Sequence, residues 1–551
     1  MIKRTFGVIK RYGISIPWYL FANLLFLHRN KLISKRLNDL DNTVFKIVAN
    51  NDFWLKICYD NIEENKQIRK GQRRILFYDD TLLKDKDIKY RWEENRRQFL
   101  IPLSLSSEKV DRQYAIEFLD KCDFEKDFVD TNAMEVGIAL INTITAIQLL
   151  NDEKLFENPR LEHYIKNAII YITGNLEKGL RVSNNHYFFD LIGVLWALKS
   201  IVGNAYICGL INYYEEELKK LLRVIINPDG SLFESSTFYH RYVTEALLEY
   251  VLTFRLQDDF FYQGILEKMV GFLKFATCDI YLCGIGDNDS GRLLPIHSYF
   301  HYSSRDCTSI FNLVKQFKIK PRKLTMASNF GLYKIEHNKW TAFLRCDSLS
   351  NEVVRKFIGG HSHNDQLSVC LFYDEEEIFT DQGVYLYISD YDYRRENMTT
   401  AHHNTVSING VEQNVVSSGW KFVPRRAIGT IINVQADYIS CCLSYLDIQH
   451  RREIHVDADK VWLVDTIIRP EVYESAFAYF LMLPSTEVEI LSKNSAKITT
   501  RKGMLFLLNT EGLLEVENRY YSENYGVRES SKGLKISFVN KKLTVTIQSC
   551  N

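Results

Sequence analysis

The spacing of apolar residues changes along the chain, from a helical period to strict alternation. Between about residue 90 and residue 320 apolar side chains recur every three to four positions, as in the stripe of Met134, Ile138, Ile141, Ile144 and Leu150. From about residue 325 onward, segments such as KVWLVDTIIRP and LKISFVNKKLTVTIQS alternate apolar and polar residues, with Asn-Gly and Lys-Gly turn signals between strands. The sequence therefore predicts antiparallel helix pairs followed by antiparallel sheet.

This change of period predicts a multidomain α+β chain. We expect an N-terminal helical segment at 1–90, a helical domain at 91–324 and a β domain at 325–551. The boundary falls in FKIKPRKLTMASNFG, where Pro321 and a basic run interrupt the helical pattern. A chain of 551 residues with 46% apolar side chains can bury a core of this size.

Charge and cysteine content limit the partners and the compartment. The 69 basic residues balance 69 acidic ones, so the chain has no general attraction to nucleic acid or to an anionic membrane surface. The 11 cysteines are odd in number and irregularly spaced, which favours buried thiols and a reducing, cytoplasmic location.

The N-terminus carries an apolar run, IPWYLFANLLFL, after four basic residues. It resembles a signal peptide, but HRNKLISKR follows where a cleavage site would need small residues. About a dozen apolar residues are too few to span a bilayer. We expect a first helix that packs on the body of the protein and no membrane span, with export as the alternative.

Two histidines precede a predicted hairpin in GGHSHNDQLSVCLFYDEEEIFTDQG. In an extended segment His361 and His363 would point to the same side. Asp381 ends the returning strand and His403 begins the next one, so the hairpin and its neighbour would bring His363, Asp381 and His403 together as a metal-binding set. From spacing alone, hydrogen-bonded loop residues remain the alternative interpretation.

Five segments of the chain, in the same order, resemble the heparinase II/III-like polysaccharide lyases. They lie between about residue 130 and residue 420, and as a combination they are specific: SNNHYFFDLIGVLWAL, NPDGSLFESSTFYHRYVTEALLEY, GIGDNDSGRLLP, the histidine segment above with its Asp-x-Gly, and TTAHHNTVSINGVEQN. The resemblance implies an N-terminal incomplete (α/α) toroid followed by a C-terminal antiparallel β-sandwich. It also implies β-elimination on a uronic-acid-containing acidic polysaccharide in the cleft between them.

The resemblance assigns three catalytic positions. Asn185 neutralises the substrate carboxylate, Tyr239 is the acid and for some substrates also the base, and His361 is the partner base. A helix cap is the competing interpretation of Asn185. Tyr239 is one of 32 tyrosines, most of which must be packing residues.

The resemblance also implies residues that contact or support the substrate and a metal. The substrate-binding set is His186, Glu234, His240, Arg292 and Trp420. Each of three residues has an alternative interpretation. Glu234 would be a solvated turn residue, and Arg292 would belong to an internally paired loop with Asp287 and Asp289. Trp420 would be an ordinary packing residue. The metal set is again His363, Asp381 and His403, and zinc suits two imidazoles and a carboxylate in a structural site.

Ala139 departs from the family pattern, since many relatives carry an arginine there. The alternative function is therefore a non-catalytic or differently catalytic glycan-handling protein in bacterial surface-polysaccharide assembly. A hydrolase is disfavoured because no pair of carboxylates stands out in the motifs.

Overall fold

The structure, a computed structural model, describes most of the chain as a helical region followed by a β region. The described residues are 18–49, 62–70, 88–128, 131–179, 184–296, 299, 302–347, 357–358, 361–386, 391–416, 423–469 and 474–550. The predicted order of helices and then strands is confirmed.

The helices of the described residues lie mostly before residue 320. They are α1 (Trp18–Asn38), α2 (Ile62–Arg69), α3 (Ile88–Asn95), α4 (Leu100–Leu105), α5 (Lys109–Asp120), α6 (Phe124–Asp127), α7 (Ala133–Leu150), α8 (Glu153–Phe156), α9 (Pro159–Gly174), α10 (Asn185–Ser200), α11 (Ala205–Ile225), α12 (Thr237–Thr253), α13 (Phe260–Phe275), α14 (Thr308–Gln316) and α15 (Tyr391–Asn397). Short 3₁₀ turns lie at Asn42–Phe45 and Thr400–His402. Helix α1 contains most of the N-terminal apolar run and packs against α9.

Helix α7 lies at the centre of the helical region. The side chain of Asn132 caps it by accepting a hydrogen bond from the Glu135 amide at 3.0 Å. Every residue of the helix is buried, because the sequence is apolar on all faces rather than on one stripe. It is the one helix in the described part of the chain long and apolar enough to cross a membrane, and its whole length is buried inside the protein.

Two glycines allow α7 and α10 to cross closely. A Cβ atom on Gly193 would lie only 2.6 Å from the Cα of Gly137. Because neither residue has a side chain, the two backbones can touch. The first residue of α10 is Asn185, so this crossing helps to set its position.

The strands of the described residues pair antiparallel, and all of them except β1 and β2 lie after residue 330. They are β1 (Thr277–Cys278), β2 (Tyr281–Leu282), β3 (Leu332–His337), β4 (Trp340–Arg345), β5 (Phe357–Ile358), β6 (Val369–Tyr373), β7 (Glu376–Phe379), β8 (Val406–Ile408), β9 (Val423–Pro424), β10 (Ile428–Val434), β11 (Tyr438–Tyr445), β12 (Ile448–Val456), β13 (Lys460–Ile467), β14 (Ala476–Leu481), β15 (Glu487–Ser492), β16 (Ser495–Thr499), β17 (Leu505–Thr510), β18 (Leu513–Tyr521), β19 (Glu529–Ser537) and β20 (Lys542–Ser549).

Three larger sheets build the β region. The eight-stranded sheet has the order β10-β11-β12-β13-β20-β17-β16-β15, and the four-stranded sheets have the orders β18-β19-β14-β8 and β3-β4-β6-β7. Alternate residues of β12 and β13 are buried, which is the pattern of a sheet with one face on a core. Strand pairs β1-β2 and β5-β9 stand apart from these sheets.

The buried apolar residues fall into two clusters that divide near residue 332. The first extends from Ile33 to Leu332 and includes Phe343, Cys370 and Phe372 of the β region, and the second extends from Tyr333 to Ile547. Ile33 to Ile68 belong to the first cluster, so the described part of 1–90 packs with the helices. The boundaries at 90 and 324, the incomplete toroid and the face-to-face sandwich stay predictions.

A buried ion pair joins the two regions beside the hairpin β6–β7. The Arg305 guanidinium donates to both carboxylate oxygens of Glu377, at 2.6 and 2.8 Å. It also donates to the Thr380 hydroxyl at 3.0 Å, one residue before Asp381. This contact holds the end of the hairpin against the helical region.

Candidate active site

The N-terminus of α12 carries Tyr239 and is tied to the loop 283–291. Ser236 caps the helix by accepting a hydrogen bond from the Tyr239 amide at 3.2 Å. The Ser236 hydroxyl donates to the carbonyl of Asp287 at 2.7 Å. The Thr237 hydroxyl donates to the Cys283 carbonyl at 2.8 Å. Tyr239 is therefore held by its backbone to the loop that contains Asp287.

Gly286 brings this loop against the histidine segment of the β region. Its φ is +76°, and a Cβ atom there would lie 2.5 Å from the carbonyl oxygen of His361. The amide of the next residue, Asp287, donates to the same carbonyl at 3.0 Å. A glycine is required at this position because the two backbones meet there.

The carboxylate of Asp287 gathers three side chains of the β region. Its Oδ2 accepts from His361 Nδ1 at 3.1 Å and from Arg394 Nη2 at 2.9 Å, and its Oδ1 accepts from His363 Nε2 at 3.0 Å. Burial disfavours the ionised form of Asp287. The Arg394 charge and the two imidazole hydrogen bonds outweigh that effect and hold the pKa of Asp287 well below its usual range.

The ring of Tyr239 stacks on the ring of His361. Their centroids are 3.8 Å apart and their planes differ by 21°. Both residues are buried, with 5% and 9% of their surfaces exposed respectively. Two side chains that can each exchange a proton thus lie in contact at the junction of the helical and β regions.

Asn185 lies beside Glu234 at the start of α10. The Glu234 carboxylate accepts hydrogen bonds from the backbone nitrogen of Asn185 at 3.0 Å and from its side-chain Nδ2 at 2.8 Å. The N-cap position belongs to Asn184, so Asn185 is not the helix cap that the alternative interpretation proposed. Glu234 precedes Ser236 by two residues, and this short segment links Asn185 to the N-terminus of α12.

His186 follows on the same helix and is half-exposed. Its Nδ1 lies 3.1 Å from Glu177 Oε1. Partial burial alone would lower the pKa of His186, but the hydrogen bond and negative charge of Glu177 outweigh it and raise the pKa to about 9. The side chain is therefore a cation near neutral pH.

The three predicted metal ligands lie close together in a different arrangement from the expected one. Asp381 Oδ2 accepts from His403 Nδ1 at 2.7 Å, and the rings of His363 and His403 are 5.2 Å apart. The second nitrogens, His363 Nδ1 and His403 Nε2, are buried and have no hydrogen-bond partner among the described residues. In that part of the chain, no group of three or more histidine, cysteine, aspartate and glutamate side chains has metal-binding geometry.

Buried polar residues hold the segments that carry these histidines. Asn404 donates to the carbonyls of Val369 and Thr380, at 2.9 and 2.8 Å, and its Oδ1 accepts from the Leu481 amide at 2.7 Å. Arg452 is paired with Asp465 and donates to the Leu367 carbonyl at 2.7 Å. These contacts hold the segments that follow His363 and His403.

Residues 319–548 match the family model described as Heparinase II/III-like, C-terminal. This region is a heparinase II/III-like domain. The family resemblance predicted from the sequence motifs is confirmed.

Solved structures share the fold over nearly the whole chain. A crystal structure of a heparinase III aligns with a TM-score of 0.67 at 14% identity, covering 95% of this chain and 89% of that chain. A mutant of heparan sulfate lyase HepC from Pedobacter heparinus aligns with a TM-score of 0.60 at 14% identity, covering 95% and 87%. At this identity the likeness shows the fold alone. No curated protein sequence matches the chain.

The structure brings Tyr239 and His361 of the predicted catalytic set into contact and links Asn185 to them through Glu234. His363, Asp381 and His403 of the heparinase II/III-like domain lie beside this group. Their catalytic, substrate-binding and metal-binding roles stay predictions.

His240 and Arg292 lie away from this group. Burial lowers the pKa of His240 to about 4, its Nδ1 accepts from the Leu232 amide at 3.2 Å, and its Nε2 lies 3.0 Å from the Met269 carbonyl. Both ring nitrogens of the buried His240 are engaged inside the helical core, and its substrate-binding role stays a prediction. Arg292 donates to the Tyr299 carbonyl at 2.9 Å and lines a separate cavity with Glu245 and Glu249. Trp420 lies outside the described residues.

Sequence reasoning misses the centre of the site. It places Asp287 only in a loop that pairs internally or lines the cleft, and it does not find Arg394 at all. The Gly-Asp pair at 286–287 is the available signal for Asp287, because a glycine before a carboxylate permits a close backbone approach. For Arg394 the sequence offers none, since it lies in α15 among other charged residues.

Proposed function

We propose that the protein is a polysaccharide lyase that cleaves a uronic-acid-containing acidic polysaccharide by β-elimination. The single observation that carries this proposal is the stacked pair of Tyr239 and His361 at the junction of the helical and β regions. The likeness of the protein's fold to heparinase III and heparan sulfate lyase structures supports the same reaction class. The substrate would enter between the two regions.

The reaction needs a group that stabilises charge on the uronate. Removal of the C5 proton places negative charge on the neighbouring carboxylate, and a fixed donor lowers the cost of that charge. The side-chain nitrogen Nδ2 of Asn185 carries two hydrogens, and Glu234 accepts one of them in a hydrogen bond. The other can bind the substrate carboxylate, while Glu234 keeps the amide in place.

Tyr239 and His361 divide the proton transfers. A base takes the C5 proton, the C4–O bond breaks as the C4–C5 double bond forms, and an acid gives a proton to the departing oxygen. His361 serves as the base and Tyr239 as the acid when the two groups leave from opposite faces of the ring. For the other stereochemistry Tyr239 performs both transfers. His186, a cation near neutral pH, adds attraction for an acidic chain.

His363 and His403 have the chemistry to hold a divalent metal, and we propose zinc. Each ring is oriented by a carboxylate, Asp287 or Asp381, through one nitrogen. The opposite nitrogens, His363 Nδ1 and His403 Nε2, are buried without a hydrogen-bond partner in the described structure. A carboxylate on the far nitrogen is typical of metal-binding imidazoles. Asp381 would then orient His403 and also serve as the third metal ligand. A bound metal would order this side of the cleft.

Elemental analysis tests the metal. Wild-type protein should contain close to one zinc per chain, and His363→Ala and His403→Ala should each lose it, because each removes one of two nitrogen donors. His163→Ala, which changes an exposed histidine in α9, is the matched control and should keep the metal. Wild-type protein that retains no metal after purification without chelators would overturn the assignment.

Ultraviolet absorbance tests the lyase reaction. Elimination creates a conjugated unsaturated uronate, so absorbance should rise during incubation with one member of a panel of heparan, chondroitin, hyaluronan, alginate and bacterial capsules. Tyr239→Phe should abolish the rise and leave folding intact, since only one hydroxyl is removed.

The control for this variant is Tyr242→Phe on the same helix. The Tyr242 hydroxyl is buried and has no hydrogen-bond partner among the described residues, so its removal should leave turnover unchanged. Full activity of Tyr239→Phe would remove Tyr239 from the mechanism. No rise with any polysaccharide would favour a glycan-handling role without elimination.

A further inference from the structure

We propose that Asp287 is the positioning residue of this site. Its carboxylate holds His361 in the tautomer that carries hydrogen on Nδ1, and its backbone fixes His361 relative to Tyr239. This inference rests on the proposed function for its catalytic consequence, while its structural part can be tested without a substrate.

The carboxylate determines which nitrogen of His361 is basic. A neutral imidazole has one N–H and one lone pair, and a hydrogen bond at one nitrogen decides where the hydrogen resides. Asp287 Oδ2 lies 3.1 Å from His361 Nδ1. An ionised carboxylate has no hydrogen to donate, so it can only accept a hydrogen bond from this nitrogen. The hydrogen therefore resides on Nδ1 and the lone pair on Nε2. A histidine that acts as a base needs such a fixed lone pair.

Arg394 pairs with this carboxylate and holds it in place. It donates to the same oxygen, Oδ2, at 2.9 Å, and Asp287 is fully buried. One carboxylate oxygen of Asp287 thus accepts hydrogen bonds both from a guanidinium and from His361 Nδ1.

The backbone of Asp287 links the two candidate proton-transfer groups. Its amide donates to the His361 carbonyl at 3.0 Å. Its carbonyl accepts from the Ser236 hydroxyl at 2.7 Å, and that hydroxyl caps the helix at the Tyr239 amide. Asp287, in the helical region, thus hydrogen-bonds through its backbone to His361 and to Ser236, which caps the helix that carries Tyr239. The rings of Tyr239 and His361 stack with their centroids 3.8 Å apart.

A merely structural ion pair is the competing explanation, and Asp287→Asn separates the two. The amide keeps the size of the side chain but cannot accept hydrogen bonds with both ends. We expect kcat to fall by about 10²-fold or more, because the base loses its fixed orientation, with little change in KM. A structural role would instead lower the amount of folded protein and leave kcat per folded molecule unchanged.

Asp289→Asn is the matched control on the same loop. Asp289 is also buried, but it pairs with Lys89 at 3.7 Å and accepts from the Gly291 amide at 2.8 Å. Its substitution removes a buried carboxylate without removing a hydrogen bond to His361. We expect its kcat to stay close to the wild-type value.

A second measurement needs neither substrate nor turnover. ¹⁵N spectra of histidine-labelled protein, at mildly alkaline pH where ordinary imidazoles are neutral, report which nitrogen carries the hydrogen. The His361 signal is assigned by its loss in His361→Gln. Wild-type protein should show hydrogen on Nδ1, and Asp287→Asn should show a mixture of tautomers.

Each outcome decides one of the two proposals. Hydrogen on His361 Nε2 in the wild type, or an Asp287→Asn variant with unchanged tautomer and kcat, would overturn the role of Asp287. If no polysaccharide in the panel is cleaved, the proposed lyase function fails, but the spectra still confirm or refute the positioning of His361. If Asp287→Asn does not fold, the wild-type spectrum alone decides between the two tautomers.

Discussion

Replacing Arg305 by methionine should loosen the attachment of the β region to the helical region. Arg305 is buried and makes four hydrogen bonds across this junction, two to Glu377 and one each to Thr380 and Tyr521, between 2.6 and 3.1 Å. A fifth, to the Leu282 carbonyl at 2.9 Å, stays within the helical region. Methionine keeps much of the side-chain volume but none of the donors. The variant therefore leaves the Glu377 carboxylate buried without its partner.

The expected loss is about 3 to 5 kcal/mol, the range for a buried ion pair from which one member is removed. Protonation of Glu377 limits this loss. Burial already raises the pKa of Glu377 despite the opposing charge of Arg305, and without that charge the pKa rises further. The folded variant then binds more protons than the unfolded chain above about pH 4, so its stability falls as pH rises from there. The deficit relative to wild type should be larger at pH 8 than at pH 5.

Urea denaturation is the assay, because guanidinium would screen the charges. With a slope of about 3 kcal/mol per molar, the midpoint of the transition that exposes this junction should fall by about 1 M or more. The double variant Arg305→Met/Glu377→Met should regain most of the loss, since a buried pair can be replaced by apolar groups at little cost. A single variant with the wild-type midpoint, or a double variant no more stable than the single, would refute this reasoning.

Two further predictions concern the site itself. The His186 cation is present below its pKa of about 9 and is lost above it, so KM for an acidic polysaccharide should rise as pH increases through 9. His186→Gln should have a raised KM at neutral pH without that pH dependence. A wild-type KM in this variant would contradict the role of His186 in binding. Gly286→Ala should lower kcat by about 10²-fold while circular dichroism stays unchanged, because its Cβ would push the His361 backbone aside. Gly503→Ala, also at positive φ but with no atom within 4 Å of the added Cβ, is the control and should keep full activity.

The fold followed from local patterns because those patterns are set by local physics. The alternating residues before Asp374 predicted a strand, and Asp374 and Glu375 adopt φ of 51° and 65° in the two-residue turn that joins β6 to β7. The stripe in 134–150 predicted a helix correctly but suggested one buried face. Burial of all its faces depends on the helices around α7, which periodicity cannot reveal.

The candidate site was harder to predict because its geometry comes from contacts between distant segments. His361 and His363 contact one carboxylate, but it belongs to Asp287, more than 70 positions earlier in the chain. Arg394 reaches the same carboxylate from a helix after the hairpin. Spacing within one motif carries no information about such a meeting.

The division of these residues between two regions has a physical consequence. Asn185, Tyr239 and Asp287 come from the helical region, whereas His361, His363 and Arg394 come from the β region. The side chains that pair with the Asp287 carboxylate are those three groups of the β region, so separating the regions would leave a buried carboxylate to be hydrated or protonated. Docking of the two regions therefore also brings Tyr239 and His361 together, because the carboxylate that pairs with the β region belongs to the loop that holds the start of α12.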